Sequence, residues 1–413
     1  MGGAGLRIIK ALNVTSFRLA HRRRRTVVWS LALALTALGG WVMTRWTDTD
    51  VAGGRPAYLV GAYYYTWYYP GHWASNDFVG RHLAEPLEPS LGEYVSDDPA
   101  VIASHLKWAS EYGIDFFIIS WSHAGSFADQ TARRYLLPAI AETRIRQAPT
   151  VELMSYGERD LGNAQFRKRL ADDLRFVGEH YLKHPSALRI DGKPVLFLYV
   201  TRTLLGDITS WLAEVRRMLA AMDVDPFVIA DEVFWHDPDP ARLRAFDAIT
   251  AYNVYDWPRT RNAGFAREST FLADVEELYA RWQAAARAAG VRFVPNAMPG
   301  YNDRGVRLAA DHYVIPRRLD SMAQTTSLFE RSIDVARRFV DPALPMVTIT
   351  SFNEWHEWTQ VEPARFASRR PSSDATAFTQ GFAHDPYTFE YLDVIRTQLG
   401  DGSPASGPPQ RER

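Results

Sequence analysis

The stretch Met346-Val-Thr-Ile-Thr-Ser-Phe-Asn353-Glu354-Trp355-His356-Glu357-Trp358-Thr-Gln-Val-Glu-Pro363 decides how this chain is read. It opens as a short apolar, β-branched run, Met346 to Ile349, of the kind that forms a buried strand. It then breaks into Asn353, Glu354, Trp355, His356 and Glu357. Burying a carboxylate is costly unless it is paired or hydrogen-bonded. Two carboxylates three residues apart, interleaved with rings where a strand stops, therefore point to chemistry more than to folding. The cluster reads as the catalytic centre of a carbohydrate-active enzyme, with Glu354 and Glu357 as its catalytic pair.

Outward from that stretch, strand-like and helix-like segments alternate. Strands are expected at Tyr58–Tyr65, Asp115–Trp121, Thr150–Met154, Val195–Val200, Phe227–Ala230, Ala248–Tyr252, Arg292–Pro295 and Met346–Ser351. The intervening helices are Pro99–Tyr112, Asp129–Thr143, Gln165–Leu182, Asp207–Met222, Pro240–Phe246, Thr270–Ala289 and Gln324–Phe339, with Tyr387–Leu399 last. Asp98 before Pro99 supplies a helix cap and a first-turn proline, and Gly290 a C-terminal stop. Eight strand–helix units over residues 58–399 predict a parallel sheet with helical crossovers, an α/β fold of the (β/α)8 TIM-barrel type. A doubly wound open sheet is the alternative, weakened because no Gly-rich phosphate loop follows the first strand.

A TIM barrel carries its active site at the C-terminal strand ends. Those ends collect Tyr64, Trp67 and Trp73 after strand 1, Trp121 after strand 2, Tyr252 after strand 6, Tyr301 after strand 7, and Asn353 and Trp355 after strand 8. Aromatic, amide and carboxylate groups are the lining expected of a glycan cleft, and these eight are the candidate substrate-binding residues. The chain's 13 Trp, 19 Tyr and 21 Phe supply flat apolar faces suited to sugar rings, or equally an aromatic-rich core. Asp231-Glu232 after strand 5 reads either as part of the site or as a helix cap. The histidines lack a ligand-like grouping such as His-Glu-x-x-His, so neither a metal nor another cofactor is expected. Glu354 and Glu357, on one helical turn, would lie about 5–6 Å apart at Cβ, a spacing that suits a retaining glycosidase.

The N-terminal part has a different character. Residues 1–25 are basic and polar, ending in four arginines, and Thr26 to Met43 then runs 18 residues without a charge. That length suffices to cross a bilayer, and the preceding positive cluster predicts a cytoplasmic N-terminus. Residues 26–44 are therefore expected to be a transmembrane signal anchor, with a cleaved signal peptide as the competing reading. A Gly- and Asp-rich linker, 45–57, follows, and residues 400–413 form a Pro- and Ser-rich tail expected to be disordered. A single-pass membrane protein with its large domain outside the cytoplasm results. A net charge of −1 gives no reason to expect a nucleic-acid partner. The absence of cysteine excludes disulfides, thiol catalysis and thiolate metal sites.

Ser-Phe-Asn353-Glu354-Trp355-His356-Glu357, followed by Thr359-Gln360 and Glu362-Pro363, resembles the signature of glycoside hydrolase family 99. Ala62–Tyr68 is similar to that family's first-strand motif, Leu91–Leu106 to the segment leading into its first helix, and Pro299–Asp303 also has a counterpart. The resemblance covers residues 58–399. It implies a (β/α)8 barrel and a metal-independent, retaining, endo-acting α-mannosidase or α-mannanase that binds a glycan. It further implies that Glu354 is the base that deprotonates the substrate 2-hydroxyl, giving a 1,2-anhydro sugar, and that Glu357 is the general acid and then the base. Trp358 stands where the family commonly has Gly, Thr66 replaces a usual Pro, and Met154-Ser155-Tyr156 lacks the usual His–Glu–Pro. Two other functions remain open, a transglycosylase or transferase of polysaccharide assembly and a non-catalytic glycan-binding protein.

Overall fold

A computed structural model describes residues 58–75, 86–254, 268–307, 312, 314–318, 325–368 and 385–400, the side chains of 268–270 excepted. The expected basic segment, membrane segment, linker and most of the tail lie outside these residues. Among the described residues, no helix is long and apolar enough to cross a membrane.

The chain builds eight parallel strands: β1 Leu59–Tyr64, β2 Phe116–Trp121, β3 Arg146–Glu152, β4 Lys193–Tyr199, β5 Phe227–Asp231, β6 Ala248–Thr250, β7 Arg292–Val294 and β8 Met346–Ile349. Each pairs with the next, and β8 pairs with β1 through Leu59↔Met346 to Ala62↔Ile349. β7 closes the ring by changing partners. Its first half pairs with β6, Pro295 interrupts it, and its continuation Asn296–Ala297 pairs with β8. Proline has no N–H to give to a ladder, so the break falls where the ladder changes sides. A helix follows every strand: α1 Pro99–Glu111, α2 Phe127–Thr131 continuing through a π-turn to Ala141, α3 Ala164–Val177, α4 Ile208–Ala220, α5 Pro240–Leu243, α6 Glu268–Ala289, α7 Ser327–Arg338 and α8 Glu390–Gln398. Asp98, Asn163, Asp207 and Asp239 cap the first turns of α1, α3, α4 and α5 through side-chain oxygens.

Both faces of the strands are covered, so they read as continuous apolar runs. β2 is buried at all six positions. The third strand is the largest departure from the sequence reading. It begins at Arg146, four residues before the expected Thr150, because Pro149 sits within its ladder opposite Ile119 and Arg146-Gln147 look polar. Gln147 is fully buried, and its Nε2 donates to the Tyr181 carbonyl at 2.8 Å.

Inside the barrel, side chains of alternate residues meet in layers. Tyr63, Phe116 and Phe197 pack edge to face or stacked in one layer. Asn296 joins Thr348 and Thr350 by hydrogen bonds of 3.0 and 2.9 Å from its Nδ2. Gly61 sits opposite Phe116, and a Cβ there would lie 2.2 Å from that ring. Gly61→Ala is therefore expected to lower stability by about 1–3 kcal/mol through overpacking. Urea denaturation measures it, and an unchanged midpoint would show that the Phe116 ring moves aside freely.

Candidate active site

The polypeptide leaving β8 is tied to the barrel before it reaches its carboxylates. Asn353 pairs with the backbone of Tyr65 as a strand residue would: Tyr65 N–H donates to Oδ1 (2.8 Å), and Nδ2 donates to the Tyr65 carbonyl (2.9 Å). The Tyr68 hydroxyl donates to the Asn353 carbonyl (2.6 Å) and accepts from Trp355 N–H (3.1 Å). Beneath the loop lies Glu362, fully buried, whose carboxylate takes Tyr94 Oη (3.0 Å), Trp355 Nε1 (2.8 Å) and His105 Nε2 (2.9 Å). His105 reaches Tyr64 Oη through Nδ1 at 2.8 Å. A buried carboxylate is tolerable only with such partners.

Glu354 and Glu357 stand on this support in unlike surroundings. Glu354 is 2% exposed. Its Oε1 accepts the His356 N–H (2.7 Å) and faces His356 Nδ1 (2.8 Å), while its own N–H donates to Ser351 Oγ (2.8 Å). Glu357 is held by its carbonyl, which accepts from Asn302 N–H (2.8 Å), and by Arg307 Nη2 on its carboxylate (3.1 Å). Arg307 also pairs with Asp303 at 2.6 Å. Burial pushes the Glu357 carboxyl up to about 7, the nearby charge of Glu354 adds to this, and Arg307 opposes it. A third carboxylate, Glu152 at the end of β3, is pushed up to about 8 by burial, against the pull of its bond from Ser120 Oγ (2.9 Å), with Glu354, Glu357 and Asp231 raising it further.

Rings line the space between these groups. Tyr252 Oη meets Tyr65 Oη at 2.7 Å. Burial and the charges of Glu357 and Glu354 hold the Tyr252 phenol well above its usual range. Tyr199 packs on Tyr252 at 5.0 Å and is raised by burial and then by Glu357. Trp67, half-buried, lies over Tyr65 at 4.4 Å with its face toward the edge of His356.

The sequence-predicted residues thus divide. Glu354, Glu357, Tyr252 and Trp67 come together. Asn353, Trp73, Trp355 and Tyr301 form the buried frame. Trp73 stacks on Tyr68 at 4.6 Å and donates to the Tyr94 carbonyl, and Tyr301 pairs with Ile315 through its backbone beside Arg307. Tyr64 and Trp121 face outward to the helices, Tyr64 stacked on Phe117 and Trp121 donating from Nε1 to Asp129. Asp231 accepts Val200 N–H and Tyr252 N–H and pairs with Arg202, joining the ends of β4, β5 and β6, and Glu232 takes Thr201 and Arg242. Glu152, Tyr65 and Tyr199 were not picked out from sequence. Alternation along Tyr63-Tyr64-Tyr65 carries the signal for Tyr65, and the position of Glu152 at the end of β3 was hidden by the misplaced strand. Among the described residues, no group of three or more acidic or histidine side chains is arranged to hold a metal ion.

Two carboxylates at the C-terminal end of a (β/α)8 barrel, set among edge-on and tilted rings, are the arrangement expected of a glycoside hydrolase. The chain belongs to family 99 of these enzymes: the family model described as "Glycosyl hydrolase family 99" matches residues 68–378. A human glycoprotein endo-alpha-1,2-mannosidase-like protein is 26% identical over 73% of this chain and 68% of its own length. Mouse glycoprotein endo-alpha-1,2-mannosidase is 24% identical over 74% of this chain and 68% of its own. In fold, the chain resembles the family 99 endo-alpha-mannosidase of Bacteroides thetaiotaomicron, with a TM-score of 0.56 and 19% identity over 83% of this chain and 96% of that one.

Trp358, which the resemblance sets against a usual Gly, does not line the site. It is fully buried against Trp355, its φ is +56°, and its carbonyl accepts from Arg317. Trp358→Gly would relieve about 1–2 kcal/mol of left-handed strain but lose about 3–5 kcal/mol of packing, so net destabilisation is expected by chemical denaturation. A more stable variant would mean that strain dominates there. Glu152 binds its proton more tightly when folded than when unfolded. Its contribution is complete at low pH and lost as pH rises from the ordinary carboxyl range toward about 8. Glu152→Gln should therefore raise Tm at pH 9 relative to wild type more than at pH 5, and equal shifts at both would refute the assignment.

Proposed function

We propose that this protein is a retaining, endo-acting glycosidase that cleaves α-mannoside-like linkages with the help of the substrate's own 2-hydroxyl. The observation that carries the reading is the contrast between the two carboxylates. Glu354 is fixed through Oε1 by two nitrogens of His356 and offers its other oxygen to a substrate hydroxyl as a base. Glu357, at about 7, holds a proton near neutrality and suits a general acid. The names of the relatives, endo-alpha-1,2-mannosidases, supply the linkage class.

In the first step Glu354 takes the proton of the 2-hydroxyl as that oxygen attacks C1. The C1–O bond to the leaving sugar breaks, and the departing oxygen takes the proton of Glu357. In the second step Glu357 removes a proton from water as the water oxygen attacks C1 of the 1,2-anhydro sugar. The C1–O2 bond opens, and O2 recovers its proton from Glu354. Two inversions at C1 give net retention. Trp67 and Tyr252 offer the apolar face and the hydroxyl on which a sugar ring would rest.

The assignments are tested by product analysis and mutation. An α-configured first product on α-linked oligosaccharides, followed by NMR, is expected, and a β-configured one overturns the mechanism. Glu354→Gln and Glu357→Gln should each lower kcat on an unactivated substrate by about 10²–10⁴-fold with the fold intact. The acid must be protonated in the free enzyme, so kcat/KM should fall as pH rises above about 7. A profile flat to pH 9 would remove Glu357 from the acid role. We further propose that residues 26–44 anchor the protein, with this domain on the non-cytoplasmic side. A C-terminal topology reporter that is active only in the cytoplasm would contradict that placement.

A further inference from the structure

We infer that His72, on the loop after β1, is a positioning residue for the base: it fixes the tautomer in which His356 holds Glu354. The proposal rests on the reading of Glu354 as the base. Its ground is a continuous chain of three side chains from two loops. His72 Nε2 lies 2.7 Å from His356 Nε2, and His356 Nδ1 lies 2.8 Å from Glu354 Oε1.

Proton placement along this chain follows from its geometry. Glu354 Oε1 already accepts the backbone N–H of His356 at 2.7 Å, so it is an acceptor, and the Nδ1 that faces it is a donor. A neutral imidazole has one donor and one acceptor nitrogen. Nε2 of His356 is then the acceptor, and the proton in the Nε2–Nε2 contact belongs to His72. The opposite tautomer of His356 would turn a lone pair toward an oxygen lone pair of Glu354. The carboxylate bonds found among the described residues all fall on Oε1. Oε2 is thereby left for the substrate hydroxyl.

His72 is built to keep this role. Gly71, at φ +86°, turns the chain into the short helix that carries His72, and the His72 N–H donates to the Tyr69 carbonyl at 2.9 Å. The ring is 7% exposed, with Tyr68, Tyr69 and Trp73 edge-on around it. His356 is stacked parallel to Tyr68 at 5.9 Å and meets Trp67 edge-on. Among the described residues, groups with ionisable character facing the pair include Glu354, Tyr68 and Tyr69. This is the orienting logic of a catalytic triad, with a second imidazole in the place of the third member.

The test uses the full chain labelled with ¹⁵N-histidine. In wild type, His356 should show a protonated Nδ1 and His72 a protonated Nε2, each assigned by the signal lost on substitution. His72→Phe removes the donor. His356 should then lose its single tautomer, and kcat should fall about 10–100-fold, the scale seen when an orienting partner is removed, with KM within about twofold. His72→Gln, whose Nε2–H can donate from the same place, should restore the tautomer and most of kcat. Wild-type kinetics in His72→Phe, or His356 protonated on Nε2 in wild type, overturns the proposal. If His72→Phe does not fold, the wild-type tautomers and His72→Gln decide it. Unimpaired activity of Glu354→Gln would sink the base assignment instead, while the tautomer measurement still judges the pair.

Discussion

The carboxylate of Glu362 is the constraint on which the catalytic end of the barrel depends. It sits at zero exposure and receives an indole, a phenol and an imidazole that come from three separate segments. Removing any one of those donors leaves the charge under-solvated in a low-dielectric interior, and removing the carboxylate leaves three donors without an acceptor. The segments therefore hold one another in place. Trp355, between Glu354 and Glu357 in sequence, is one of the three, so the positions of these two candidate catalytic residues are set from below rather than by the solvent-facing part of the loop.

With the loop fixed in this way, chemistry is assigned by local surroundings. Two glutamates three residues apart share a backbone turn yet meet different partners. One turns to the imidazole of His356, and the other to the guanidinium of Arg307, with its carboxyl raised to about 7 by burial and by the charge of Glu354. Glu152 adds a third acid on the neighbouring wall. Crowded carboxylates raise one another, so the net charge that the cleft shows to a neutral sugar is smaller than the count of acids suggests.

Much of this was legible in the sequence, for identifiable reasons. Strands buried on both faces betray themselves as apolar runs such as Phe116–Trp121, and capped helices as Asp98-Pro99. The eight strand–helix units followed from these. What failed has a physical cause in each case. Pro149 argues against a strand by its missing N–H, yet the ladder of β3 accommodates it, and the error concealed Glu152. Among Tyr63, Tyr64 and Tyr65, composition could not say which ring faces inward. Only the parity of the pleat does, and it turns Tyr64 to His105 while Tyr65 meets Tyr252. Asp231-Glu232 was open in sequence between site and helix cap, and its oxygens meet backbone, hydroxyl and arginine donors.

The side-chain clamp of Asn353 on the backbone of Tyr65 gives the loop after β8 the pairing of a strand without the pleat of one. The loop that carries Glu354 and Glu357 is thus fastened to the seam between the first and last strands. The segment after β6 shares that load, for Thr350 Oγ1 donates to the Tyr252 carbonyl at 2.7 Å. A substitution that loosened either tie would shift Glu354 and Glu357 together, because both leave the barrel on one stretch of chain.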